Sequence, residues 1–206
     1  RSVKLKVEQG ETMNNRSVIA AFLFVAAMTA CATETAETIV DQSSDKWKIE
    51  AFSSAASQQI ADGATVLDKD GTVLREGSNG WTCMSGSPKD EPDGGWDSVA
   101  QSQPVCADQV GLEWMQAYMT GASVDVSRDA YLYMLQGDLG TDTSVPGIYT
   151  EEDATSPENW VVSGPHLMLM PKDPTTLSEY PVDPNNGEPY LMWPGSQYAH
   201  LMIPVE

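Results

Sequence analysis

Three short phrases near the C-terminus restrict the fold more than any other feature of the chain. They are Gly164-Pro165-His166-Leu167-Met168-Leu169-Met170-Pro171, Pro189-Tyr190-Leu191-Met192-Trp193-Pro194 and Tyr198-Ala199-His200-Leu201-Met202-Ile203-Pro204. Side chains in a strand alternate between faces, so each phrase sorts into two sets. His166, Met168 and Met170 share one face, and Leu167 and Leu169 the other. Tyr190 and Met192 oppose Leu191 and Trp193, and Tyr198, His200 and Met202 oppose Ala199, Leu201 and Ile203. One face is aliphatic; the other collects imidazole, thioether and phenol. Prolines bracket the phrases without interrupting them, as strands require. Pro194-Gly195-Ser196-Gln197 has turn chemistry, which predicts a hairpin from the last two.

The preceding chain predicts further elements. Trp47, Ile49 and Ala51 alternate with Lys48, Glu50 and Phe52, which reads as a short strand, followed by a brief helix capped at Ser53 or Ser54 and ending at Ile60. Thr65-Val66-Leu67 and Thr72-Val73-Leu74 flank Asp68-Lys69-Asp70-Gly71, a hairpin signal. That Asp-x-Asp-Gly lacks the remaining ligands of a calcium loop, so turn chemistry is the better reading. Met84 to Val105 is rich in Pro, Gly, Ser and Asp and reads as a long irregular stretch. Its acidic residues Asp90, Glu91, Asp93 and Asp97 read as a solvated loop, with nothing to fix them around a hard cation.

Asp108 and Gly121 are cap residues for a helix over Gln109 to Thr120, with Val110, Trp114 and Tyr118 on one line. Ala130 to Gln136 alternates as a strand, Gly137 to Val161 reads as loops, and Thr175 to Tyr180 as a helical turn. The expected class is α+β: an antiparallel sheet of short strands against one main helix, with long loops.

The N-terminal region reads as export machinery. Val18 to Met28 is an apolar run too short for a finished membrane span and suited to a signal peptide. Met28-Thr29-Ala30-Cys31 resembles a bacterial lipobox, with cleavage at Ala30-Cys31-Ala32 by an ordinary signal peptidase as the competing reading. Residues 1–12 precede Met13, and Gln9-Gly10-Glu11 can be encoded by a purine-rich ribosome-binding sequence. The expectation is therefore a mistranslated upstream segment over 1–12, a signal peptide over 13–30, a lipid-anchored tether over 31–46 and one globular domain over 47–206. The compartment is the bacterial cell envelope, on the periplasmic face of a membrane, or extracellular without the lipid.

The cysteine count fits this plan. With Cys31 lipidated, Cys83 and Cys106 remain as one pair for an oxidising compartment, against the alternative of two separate buried thiols. Residues 1–30 hold four of the eleven basic and two of the thirty acidic residues, so the exported remainder carries a net charge of −21 against −19 for the whole chain. Such a surface disfavours nucleic acid and anionic lipid as partners, leaving the N-terminal lipid as the membrane contact.

The set Asn79-Gly80-Trp81-Thr82-Cys83, Cys106-x-Asp108, Tyr133-Met134-Leu135-Gln136-Gly137, Gly164-Pro165-His166-x-Met168, Pro189-Tyr190-x-Met192-Trp193 and Tyr198-Ala199-His200-x-Met202-x-Pro204 resembles a family of small exported bacterial proteins, over roughly Trp47 to Val205. The resemblance implies export and a single domain, and brings no activity and no catalytic residue with it.

Among known chemistries, a Gly-x-Ser-x-Gly elbow, a P-loop, a Gly-x-Gly-x-x-Gly turn and a His-Glu-x-x-His zinc motif are all missing. What remains is the His/Met/Tyr face. His166, His200, Met168, Met202 and Met192 form a candidate metal set, since thioethers with imidazole suit copper or haem iron better than zinc or calcium. The opposing reading is that methionine fills the core and each histidine is satisfied within the sheet. Three functions follow: an envelope protein binding a small ligand or soft metal, a His-dependent hydrolase or lyase-type enzyme, and a structural or protein-interaction module. The first is preferred, which leans away from catalysis.

Overall fold

A computed structural model describes residues 41–205. The expected segment 1–12, signal peptide, lipidation site Cys31 and most of the tether lie outside the described residues.

The fold is α+β, with four α-helices, an eight-stranded sheet and a two-stranded ribbon among the described residues. The helices are α1 (Asp45–Ser53), α2 (Gln58–Ala61), α3 (Val99–Ser102) and α4 (Gln109–Thr120). The strands are β1 (Thr65–Leu67), β2 (Val73–Arg75), β3 (Trp81–Ser85), β4 (Pro104–Asp108), β5 (Ala130–Met134), β6 (Thr141–Asp142), β7 (Trp160–Val161), β8 (His166–Met170), β9 (Tyr190–Met192) and β10 (His200–Pro204). Across the large sheet the order is β2-β1-β3-β4-β5-β8-β10-β9. Contrary to the all-antiparallel expectation the sheet is mixed, because β1 runs parallel to β3.

Trp47 to Phe52 forms a helix, not a strand. Ser44 caps it by accepting from the Trp47 amide. Its buried residues Lys48, Ala51 and Phe52 follow helical spacing, whereas the Trp47/Ile49/Ala51 alternation has no sheet partner. Lys48 is buried yet paired: its Nζ lies 2.8 Å from both Asp68 and Glu91. It thereby joins α1 to the β1–β2 hairpin and to the loop after β3.

That loop is shorter than expected. Met84 and Ser85 belong to β3, and Pro104 to Asp108 form a wholly buried strand. Cys83 and Cys106 face one another across β3 and β4 and form a disulfide, both fully buried. α4 begins and ends where its caps predict, with Asp108 accepting from the Gly111 amide at 2.7 Å and Gly121 at a φ of 69°.

The sheet is covered on both sides. On one, Phe52 and Ala51 of α1 and Ala55 just after it pack over the disulfide and Val66. Farther along that same aliphatic face, Leu177 of the 3₁₀ turn Pro174–Leu177 covers Leu191, Leu201 and Leu169. On the other side, Val110 and Trp114 of α4 meet Val105, Leu132, Met168, Met170 and Met202. The two-faced reading of the C-terminal phrases therefore holds within the strands, with His166 and Met168 turned to the α4 side. It fails at Trp193, which lies past the end of β9 at a φ of 55° and joins Tyr190 and Met192 on the α4 side instead of Leu191 on the other. The β9 edge is tied off: the Leu191 amide donates to the Pro181 carbonyl at 2.7 Å and the Trp193 amide to Thr143 at 2.8 Å.

Candidate functional site

Strand register decides how the His/Met/Tyr face is arranged. β8 lies between β5 and β10, and three rows of paired positions cross them. The first row is Met134, His166 and Pro204. Leu132, Met168, Met202 and Tyr190 make the second. In the third, Ala130 pairs with Met170 and His200 with Met192. Each row is two residues from the next, so His166 and His200 stand roughly 13 Å apart along the strands.

The predicted set thus divides. Met168 and Met202 are direct cross-strand partners one row from His166, whereas Met192 accompanies His200. The register therefore sets His200 with Met192 two rows from His166, and Met168 with Met202 one row from it. Period-two alternation shows the face of a side chain, but its row depends on the partner strand.

His200 occupies a filled aromatic position. Its ring is edge-on to Trp114 and Trp193, with centroids at 5.6 and 5.0 Å. Tyr118 stacks between the same two indoles, at 5.9 and 5.0 Å. Burial pushes the His200 pKa down to about 4, against the opposing bond to Tyr198, so the ring is neutral at pH 7. Trp193 adopts a left-handed φ of 55°. Its indole N–H donates to the Asp142 carbonyl at 2.8 Å, alongside the amide bond to Thr143.

His166 is held by its own backbone in the same way as His200. Both rings use Nδ1 against the carbonyl two residues earlier, Gly164 at 2.7 Å and Tyr198 at 2.9 Å. A carbonyl only accepts, so Nδ1 carries the proton in both and Nε2 presents a lone pair. The Nε2 of His166 is buried without a hydrogen-bond partner, although the residue is only 2% exposed. The residue borders a cavity of about 230 Å³ whose lining includes Ser163, Tyr190, Met202 and Pro204. Burial lowers the His166 pKa; the Gly164 bond and the charge of Asp138 oppose that without reversing it. The Tyr190 hydroxyl lies 3.4 Å from Ser163 Oγ, and burial raises its pKa.

One side of this cavity is the segment from Val161 at the end of β7 to Pro165, which the turn before β6 holds in place. Asp138 accepts from the Ser163 amide at 3.0 Å and the Gly140 amide at 2.9 Å. Gly137 has a φ of 71°, and a Cβ there would sit 2.5 Å from the Ser163 carbonyl oxygen, so this close approach requires glycine. Asp142, fully buried, accepts five hydrogen bonds, from the amides of Ser144, Val145 and Thr155 and the hydroxyls of Ser144 and Thr155.

Sequence reasoning did not single out Ser163, Tyr190 or Met134 as neighbours of His166. Tyr190 was within reach, since it shares its alternation with Met192. Met134 was not, because only the β5–β8 register brings it alongside. Among the described residues no group of three His, Cys, Asp or Glu side chains could hold a metal ion. Protein-family models, curated proteins and solved structures were compared with the chain, and none matches it.

Proposed function

We propose that the protein is an exported cell-envelope protein, anchored by lipid on Cys31, whose domain holds a small ligand in the cavity at His166. The observation that carries this reading is the buried, unpartnered Nε2 of His166, a residue that lines the cavity. A buried acceptor left without a partner costs about 1–3 kcal/mol, which a ligand returns by occupying it. The tautomer is fixed by Gly164, so the lone pair is oriented before anything binds. In this reading α4 is the principal helix, and the short strands β8, β9 and β10 are the platform of the site.

The cavity volume argues for a small guest. About 230 Å³ is below the roughly 300–1,000 Å³ typical of pockets for drug-sized molecules, and disfavours haem. A catalytic reading has less support, because Ser163 lies next to Tyr190 and the His166 Nε2 has no hydroxyl bonded to it, leaving no nucleophile–base pair. The buried Cys83–Cys106 disulfide supports an oxidising compartment, and the acidic surface argues against nucleic acid.

Native mass spectrometry of protein isolated from its own envelope tests both parts. The expected result is a lipid-modified chain carrying one small adduct that His166→Ala loses. An adduct retained by His166→Ala would move the site elsewhere, and an unmodified Cys31 would remove the anchor.

A further inference from the structure

We propose that the guest of the His166 cavity is a single soft monovalent cation, Cu(I), held by His166 Nε2 and the Met202 thioether, with Met168 as the adjacent donor. This rests on the cavity being a binding site and names its chemistry.

The donors point to that class. His166 and Met202 line the same cavity, and among the described residues the lining contains no carboxylate and no thiolate. Neutral imidazole and thioether groups are poor ligands for Ca²⁺ or Mg²⁺, whereas thioethers select Cu(I). Zn²⁺ takes thiolate, carboxylate or several imidazoles, and His200 is two rows away. The other protic groups are Ser163 and Tyr190, whose hydroxyls lie 3.4 Å apart and are unsuited to a soft ion.

Flexibility completes the set. Met202 and Met168 are directly paired one row from His166. A methionine has three rotatable bonds and covers the roughly 6–7 Å between rows, so its sulfur can close on an ion at Nε2 without backbone movement. Fixing Nδ1–H on a backbone carbonyl is also how metal-bound histidines are oriented. The net charge of −21 outside residues 1–30 raises the local concentration of any cation.

The test uses the full chain carrying Cys31→Ser, so that no thiol competes, with the Cys83–Cys106 disulfide intact. Ag(I), a redox-inert probe, is titrated while the His166 ring ¹⁵N and methionine methyl resonances are followed; anaerobic Cu(I) competition with a chromophoric chelator gives the affinity. One equivalent is expected to shift His166 Nε2 and the methyls of Met202 and Met168, leaving His200 and Met192 unmoved. Met202→Leu, close in volume, and His166→Ala should each weaken binding by no less than the roughly 10–100-fold that partners behind a metal ligand are worth.

Binding that leaves the His166 ring unshifted, or that Met202→Leu does not weaken, overturns the assignment. The resonance shifts need no variant, so a misfolded His166→Ala does not blunt the result. If neither ion binds while an organic adduct is lost in His166→Ala, copper is wrong and the cavity reading stands. If neither ion nor adduct is found, both fall.

Discussion

Replacing Asp142 by Asn changes one buried atom and puts the anchoring of the β6–β7 connection to a quantitative test. One carboxylate oxygen accepts from the Ser144 amide at 2.8 Å, the Ser144 hydroxyl at 2.6 Å and the Val145 amide at 3.3 Å. The other accepts from the Thr155 amide and hydroxyl, both at 2.6 Å. An asparagine satisfies the first group with its oxygen but must turn its NH₂ toward Thr155. That hydroxyl can reverse and accept; the amide cannot. The loss is one bond to a charged acceptor, about 1.5–3 kcal/mol, plus a stranded N–H at about 1–3 kcal/mol, so Asp142→Asn should cost about 3–5 kcal/mol. With a urea m-value of about 2 kcal/mol/M, the midpoint moves down by about 2 M.

The pH dependence supplies a second readout. Burial alone would raise the Asp142 pKa, but the bonds from Ser144 and Thr155 overcome it and hold the carboxyl well below its ordinary 3.8. A depressed folded pKa means the carboxylate's contribution is fully present above 3.8 and lost as pH falls below it. The gap between wild type and Asp142→Asn should therefore be constant at neutral pH and narrow only in strong acid. An Asp142→Asn protein within about 0.5 kcal/mol of wild type at pH 7, the range of ordinary surface changes, would refute the account. So would a carboxyl ¹³C resonance titrating at its ordinary value.

Three further outcomes are expected. Reducing the Cys83–Cys106 bridge, whose cysteines are 23 residues apart, should cost about 3 kcal/mol in the chain-entropy model, and a denaturation midpoint that ignores reduction would contradict it. His200 should titrate near pH 4 by ring-proton NMR. Because the unfolded chain takes up that proton first, stability should fall by up to roughly 3 kcal/mol as pH drops from 6.5 toward 4, and a midpoint near 6.5 would exclude the buried neutral ring. Lys48→Met leaves Asp68 and Glu91 facing each other without their cation and should cost about 2–4 kcal/mol while exposing the loop after β3 to proteases; unchanged stability and proteolysis would show the pairing to be idle.

Local signals made some elements legible. α4 could be bounded to the residue because Asp108 and Gly121 cap it from within the same short stretch. The β1–β2 and β9–β10 pairings followed from turn chemistry, and the disulfide from counting thiols. α1 was misread because its core-facing stripe contains a lysine whose partners, Asp68 and Glu91, come from distant chain segments. Without them, Lys48 looks like a solvent residue and the helical period is hidden. β4 escaped notice because Pro104 and Cys106 gave no alternation, all five of its residues being buried. The candidate site was half legible. The shared face of His166, Met168, Met202 and His200 follows from each phrase alone; their rows follow from β8 lying between β5 and β10, which no local pattern contains.

The tied-off margin at β9 has a consequence for the chain in company with copies of itself. A final strand with bare amides and carbonyls is a template on which another molecule can extend the sheet. Here Pro181 and Thr143 take up the outward amides of Leu191 and Trp193, so the donors that a second copy would need along that margin are already engaged.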